Sequence, residues 1–299
     1  MKFMKRILVS VSLFAFAIIA TACGESAANI DISERMEAAD TPVLTWGVKA
    51  DTNLFGYYNI ADGEIQGFDV DIASALTDEM TDGQGRSEFV EVTSKTRIPL
   101  LKNGKIDGIL ATMTITEDRL KEVDFSDVYF NGGQSLLVHE DSDIYGIEDL
   151  TEDDTVLAIK GSSSTRNMRE LAPHVEVLDL ENYSEGFVAL QSGQGEALTT
   201  DNAILLGMVA TNPNYRLTEG VFTDEPYGIA INKGQDNFRD QVDEALDTIQ
   251  ANGVYDEIYN KWFGDILPAD APGSPSTSTT GAAGDSSAEE PANESEGDE

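Results

Sequence analysis

The chain has 299 residues, with 55 Asp and Glu against 19 Lys and Arg and a formal net charge of -36. Nucleic acid is excluded as a partner, because phosphate binding needs a basic surface. So acidic a surface serves solubility or a saline habitat, and an acidic ligand would have to be held by a few concentrated basic groups.

Residues 1–22 carry a basic start (Lys2, Lys5, Arg6), an apolar run from Ile7 to Ala20 and small residues before Cys23. This is the layout of a secretory signal, with an apolar run too short for a comfortable membrane span. Cys23 is the sole cysteine, so no disulfide within the chain is possible. ATAC at 20–23 resembles a lipobox, at which bacteria attach diacylglycerol to the cysteine and cleave before it. A lipid-anchored protein on the extracytoplasmic face of the bacterial membrane is expected, with residues 23–41 as lipidated N-terminus and tether. Within it, 30–36 offers a helical turn.

Beyond the tether, 43–49 reads as a strand, 70–80 as an amphipathic helix and 88–92 as a strand. A helix at 96–103, a strand at 107–112 and a short helix at 116–122 follow. The second series places strands at 155–160, 175–180 and 197–200, and helices at 164–171, 184–192 and 202–210. A strand at 227–232 and helices at 238–252 and 255–262 close the ordered region. This alternation is that of an α/β fold. Residues 268–299 are rich in Ala, Gly, Ser, Thr and Pro, with acids but no bases, and read as a disordered acidic tail. The roughly 230 residues between tether and tail suffice for two lobes of ordinary size.

In so acidic a chain, Arg119 stands out. It follows a hydroxyl-rich turn at the start of a short helix, where a guanidinium fork and free backbone N–H groups together suit a carboxylate. The plainer alternative pairs it with Glu117, Asp118 or Glu122 on a solvated face. The stretch KGSSS at 160–164 offers hydroxyls and amides at a helix start, which is also how an ordinary helix is capped. No nucleophile elbow, HExxH or GK[ST] loop occurs, and the only imidazoles, His139 and His174, are expected at the surface. Neither a metal nor a cofactor is expected.

Two segments, TMTITEDRLKEVDFSDVY at 112–129 and GFDVDIASAL at 67–76, resemble the extracytoplasmic solute-binding proteins that deliver polar amino acids to ABC transporters. The second departs at Thr77, where a small apolar residue is usual. The resemblance spans 43–263 and implies a two-lobed periplasmic-binding-protein fold of type II, with a ligand cleft between lobes joined by two crossovers. The first crossover falls near 131–133, where paired glycines permit hinge geometry, and the return near 223–226. Lobe 1 would comprise 42–131 plus 227–267, and lobe 2 residues 132–226. A monomer that passes its ligand to a permease is implied, although some dehydratases share the fold.

The resemblance also implies roles. Arg119, with Thr112 and Thr114, would hold the ligand's α-carboxylate, helped by N–H groups at Ser163 and Ser164. Asp201, in TTDNAILL at 199–206, matches the acceptor of the α-ammonium. Tyr227 would add a hydroxyl or pack the hinge, and Phe55, Tyr57 or Tyr58 would wall the aliphatic stem unless they are core or rim. Lys49 in GVKAD and Arg97 in TSKTRIPLL resemble the branch that clasps the distal carboxylate of glutamate or aspartate. Charge counting favours such a ligand, because glutamine would leave two cations without an anion in a closed cleft, at a cost of several kcal/mol. An acidic amino acid is therefore expected, with glutamine or another polar amino acid as the alternative.

Overall fold

The computed structural model describes residues 31–264 and 266–267. The secretory segment, Cys23 and the acidic tail lie outside the described residues.

Two five-stranded mixed sheets form two lobes. Strands β1 (Val43–Val48), β2 (Asp51–Thr52), β3 (Gly56–Asn59), β4 (Glu64–Gln66), β5 (Arg86–Glu91), β6 (Gly108–Ile109) and β7 (Asp124–Gly132) come first. They are followed by β8 (Gln134–His139), β9 (Thr155–Ile159), β10 (Glu176–Leu180), β11 (Ala197–Asp201), β12 (Tyr215–Leu217) and β13 (Glu225–Ile231). The first sheet has the order β5-β1-β6-β13-β7 and the second β10-β9-β11-β8-β12, while β2, β3 and β4 form a small separate sheet. In each large sheet three parallel strands meet an antiparallel strand at a crossover: β13 beside β6, and β8 beside β11.

Alternation explains β1. Leu44, Trp46 and Val48 point inward and are fully buried. The Trp46 indole donates to Thr77 Oγ1 at 2.9 Å, which accounts for the departure at Thr77. The hydroxyl also donates to Ala73 O and receives Ser87 Oγ, so a polar atom in the core is satisfied.

The helix Phe68–Met80 begins where Gly67 adopts a φ of 151°, and a side chain there would overlap Phe55 O. That tight start sends Phe68 into an aromatic cluster with Phe55, Tyr129, Phe130, Tyr255, Tyr259 and Phe263. Phe55 is thus core rather than a cleft wall. Tyr57 lies beside Trp262 and Tyr58 is half exposed, so neither takes the expected role.

Several elements differ from the sequence reading. The helical turn offered at 30–36 is present as the helix Ile32–Glu37, but it is no tether: it buries Ile32 and Met36 and ties Arg35 to Asp107 Oδ2 at 2.7 Å. Strand β6 spans two residues because the Asp107 side chain is committed to Arg35 and to Thr45 N, while Thr112 turns to a φ of 48°. Strands β7, β8 and β12 and the small sheet were not foreseen. The paired glycines of the first crossover are not in left-handed conformations. They are small for another reason: Gly132 lies against the Tyr227 ring, and a side chain on Gly133 would overlap Val221.

Candidate functional site

On the lobe 1 wall, three strand ends and a helix start bring buried charges together. Arg97 opens the helix Arg97–Lys102, is 2% exposed, and donates through Nη1 to Ala111 O at 2.6 Å and Thr112 O at 3.3 Å. Its Nε has no partner among the described residues. Lys49, just past β1 and 1% exposed, donates to Ser94 Oγ at 2.8 Å and sits 4.9 Å from the centre of the Tyr183 ring of lobe 2. Burial, reinforced by Arg97, lowers the Lys49 ammonium to about 7. Burial lowers the Arg97 guanidinium as well.

Asp69 supplies an internal counter-charge on the same wall. Its Oδ2 accepts from Thr112 N at 2.9 Å and its Oδ1 from the Tyr129 hydroxyl at 2.9 Å. Burial raises it to about 7, against the pull of these donors and of Arg97 and Lys49. The same bond holds Thr112 in its left-handed conformation, a strained geometry for a β-branched residue. The Thr112 hydroxyl donates back to Ala111 O.

Arg119 completes the lobe 1 side and reaches across to the other wall, which is built from the start of the helix Ser163–Leu171 and the end of β11. Thr116 caps the four-residue helix Glu117–Leu120, and half-buried Arg119 turns back from it to donate to Thr114 O at 2.6 Å and to Gly161 O of lobe 2 at 3.1 Å. Burial and then Arg97 lower the Arg119 guanidinium to about 9. Gly161 has a φ of 82°, and a side chain there would lie 2.8–2.9 Å from the backbone of Ser94 and Lys95. The lobes therefore touch backbone to backbone at this point.

Ser163 and Ser164 begin the helix Ser163–Leu171 and are buried. Ser163 Oγ lies 3.2 Å from Thr114 Oγ1 and donates to Glu225 Oε2 at 2.8 Å. Asp201, 4% exposed at the end of β11, accepts from the Tyr227 hydroxyl, while its Oδ1 has no partner among the described residues. Burial, followed by the charge of Glu225, raises Asp201 to about 7. Further bonds span the cleft: Tyr183 N donates to Asp51 Oδ2 at 2.7 Å and Asn53 Nδ2 to Gly207 O at 3.1 Å.

The contacts thus bring Lys49, Arg97, Thr112, Thr114, Arg119, Ser163, Ser164, Asp201 and Tyr227 together where the two lobes meet. Ser164 differs in detail: its carbonyl receives Gln134 Nε2 at 3.1 Å. The sequence reading missed Asp69, Tyr183 and Glu225. Asp69 and Glu225 are 0% and 2% exposed, and they overturn the charge count made from cations alone. Three cations face three carboxylates, Asp69, Asp201 and Glu225, so the cleft carries its own counter-charge. Among the described residues no group of three or more His, Cys, Asp or Glu is arranged to hold a metal ion, and no helix is long and apolar enough to cross a membrane.

The chain is 52% identical over 268 residues to the ABC transporter glutamine-binding protein GlnH of Bacillus subtilis, covering 87% of this chain and 98% of that one. It is 31% identical over 259 residues to the glutamate-binding protein GluB of Corynebacterium efficiens, covering 83% and 87%. Among solved structures, an ancestral arginine-binding protein bound to glutamine superposes with a TM-score of 0.70 at 38% identity, covering 75% of this chain and 98% of that one. These relatives are solute-binding proteins rather than enzymes. Residues 44–265 match one family throughout, and the chain belongs to the bacterial extracellular solute-binding proteins, family 3.

Proposed function

We propose that the protein captures glutamine outside the cytoplasm and delivers it to an ABC transporter permease. The carrying observation is the composition of the cleft: Asp69, Asp201 and Glu225 lie within electrostatic reach of Lys49, Arg97 and Arg119, without an ion pair among them. A neutral side chain then leaves no surplus of buried cations, and a second carboxylate on the ligand is not required. The greater likeness to a glutamine-binding relative than to a glutamate-binding one supports the same reading over the acidic ligand expected from Lys49 and Arg97.

In this reading Arg119 and the N–H groups of Ser163 and Ser164 receive the α-carboxylate, and the unpaired Asp201 Oδ1 receives the α-ammonium. Thr114 changes sides relative to the sequence reading. Glu225 accepts the Ser163 hydrogen bond, so Thr114 donates to Ser163 and offers its lone pairs to the ammonium. Lys49, Arg97 and the Tyr183 ring surround the ligand's far end. Binding closes the lobes through the contacts at Gly161 and Tyr183, and the closed form marks a loaded receptor for the permease. Thr112 acts through its strained backbone, and Tyr227 orients Asp201.

Calorimetric titration with glutamine, glutamate, aspartate and arginine tests the ligand. Glutamine is expected to bind at least about tenfold more tightly than the others, a gap of about 1.4 kcal/mol; tighter binding of glutamate rejects the assignment. We also propose lipidation at Cys23, from its position after the apolar run. Cys23→Ser should then release the protein from membranes.

A further inference from the structure

Ser163 and Asn167 stand one turn apart on the same face of the helix Ser163–Leu171, and both reach Glu225. Ser163 Oγ donates to Glu225 Oε2 at 2.8 Å, Asn167 Nδ2 to Oε1 at 2.7 Å, and Thr223 Oγ1 to Oε1 at 2.9 Å. Asn167 Nδ2 also donates to Gln134 Oε1 at 2.9 Å. Gln134 opens β8, which leaves the first crossover, and Glu225 opens β13, which makes the second. One amide thereby holds both crossing strands beside the start of a helix that lines the cleft.

The chemistry at Glu225 is one-sided. A carboxylate only accepts, so the Ser163 proton is committed to it and cannot also point into the cleft. Glu225 is 2% exposed and forms no ion pair among the described residues; three neutral donors hydrogen-bond its carboxylate, and Arg119 is the cation within electrostatic reach. Thr114 Oγ1, 3.2 Å from Ser163 Oγ, is then the donor of that pair. The proton order runs from Thr114 to Ser163 to Glu225, from lobe 1 across the cleft to the hinge.

We propose that Glu225 is a positioning residue for ligand binding, acting through Ser163 by fixing the direction of the hydroxyl pair that bridges the lobes. This rests on the amino-acid-binding reading of the cleft. Glu225→Gln keeps the shape of the side chain but can turn its amide towards Ser163, reversing that hydrogen bond and freeing the serine proton. A purely structural brace between the crossovers would lower stability without depending on the Ser163 hydroxyl.

A double-mutant cycle read by calorimetry separates the two, using glutamine, or whichever amino acid the unaltered protein binds most tightly. Glu225→Gln is expected to weaken binding about tenfold, the scale of one hydrogen bond to a charged group. In a Ser163→Ala background the same change is expected to weaken it by less than about twofold, because the two act as one unit. An unchanged dissociation constant for Glu225→Gln, or the full factor retained in the Ser163→Ala background, overturns the proposal. Should Glu225→Gln fail to fold, Ser163→Ala alone carries the test: a loss of about tenfold is expected, and no loss overturns it. Failure of the unaltered protein to bind glutamine while binding another amino acid counts against the ligand assignment and leaves this cycle intact.

Discussion

The Tyr227 hydroxyl donates to Asp201 Oδ2 at 2.5 Å, joining the sheet of lobe 1 to the end of β11 in lobe 2. Both residues are buried, and the bond fixes which oxygen of Asp201 remains open to the cleft.

Tyr227→Phe removes the donor and leaves a buried carboxylate with no partner for either oxygen. A loss of stability of about 1–3 kcal/mol is expected, together with weaker glutamine binding. Urea unfolding and calorimetry on the same preparation check both, and unaltered values for both would show that the bond contributes nothing.

Replacing Arg119 by Ala deletes the guanidinium that spans Thr114 O and Gly161 O. A loss of at least about 2 kcal/mol of glutamine binding is expected, with the circular dichroism spectrum preserved. An unchanged dissociation constant would remove Arg119 from the site.

Burial shifts three ionisable groups of the site towards neutrality. Asp69 and Asp201 are raised to about 7 by burial, so their contribution to stability is full below the ordinary carboxylate range and is lost as pH rises through 7. Lys49 is depressed to about 7, so its contribution is full above the ordinary lysine value and is lost as pH falls through 7. A minimum in the stability of the unliganded protein is therefore expected near neutral pH, read by thermal unfolding across pH 4 to 10. Asp201→Asn removes one carboxylate limb while keeping an acceptor for Tyr227. It should raise the melting temperature at pH 8, by the equivalent of about 1 kcal/mol or more, and change it little at pH 4. An equal gain at both pH values would assign the effect to something other than charge.

Gly161→Ala places a methyl group against the backbone of Ser94 and Lys95 at a residue whose φ is 82°. Glutamine binding should fall by at least about tenfold, because the closed form is strained, while unliganded stability falls by only about 1 kcal/mol. Small-angle scattering should show no compaction on adding glutamine. Compaction equal to that of the unaltered protein would deny this contact a role in closure.

Much of the fold was legible because long, strongly periodic segments such as those at 70–80 and 238–252 carry their own pattern. Strand β7 was not, since its sequence DFSDVYFNG breaks the alternation, with buried pairs at Phe125 and Ser126 and at Tyr129 and Phe130. Strand β8 hid behind the paired glycines. In the site, contrast decided what could be seen. With 19 basic residues the cations Lys49, Arg97 and Arg119 were conspicuous, whereas Asp69 and Glu225 were two among 55 acids. Only burial singles them out, and burial is set by residues distant in sequence. That asymmetry led the charge count towards a dicarboxylate.

At the crossovers, Gly132 pairs with Glu225 and Asn131 with Pro226, and β8 starts after Gly133 alone. The lobes are therefore joined by a two-stranded ribbon rather than by slack cords. A ribbon twists and bends more easily than it stretches, so closure around a ligand is expected to proceed chiefly as a rotation of one lobe against the other, which narrows the cleft and compacts the molecule. A probe of lobe orientation is therefore expected to report occupancy directly.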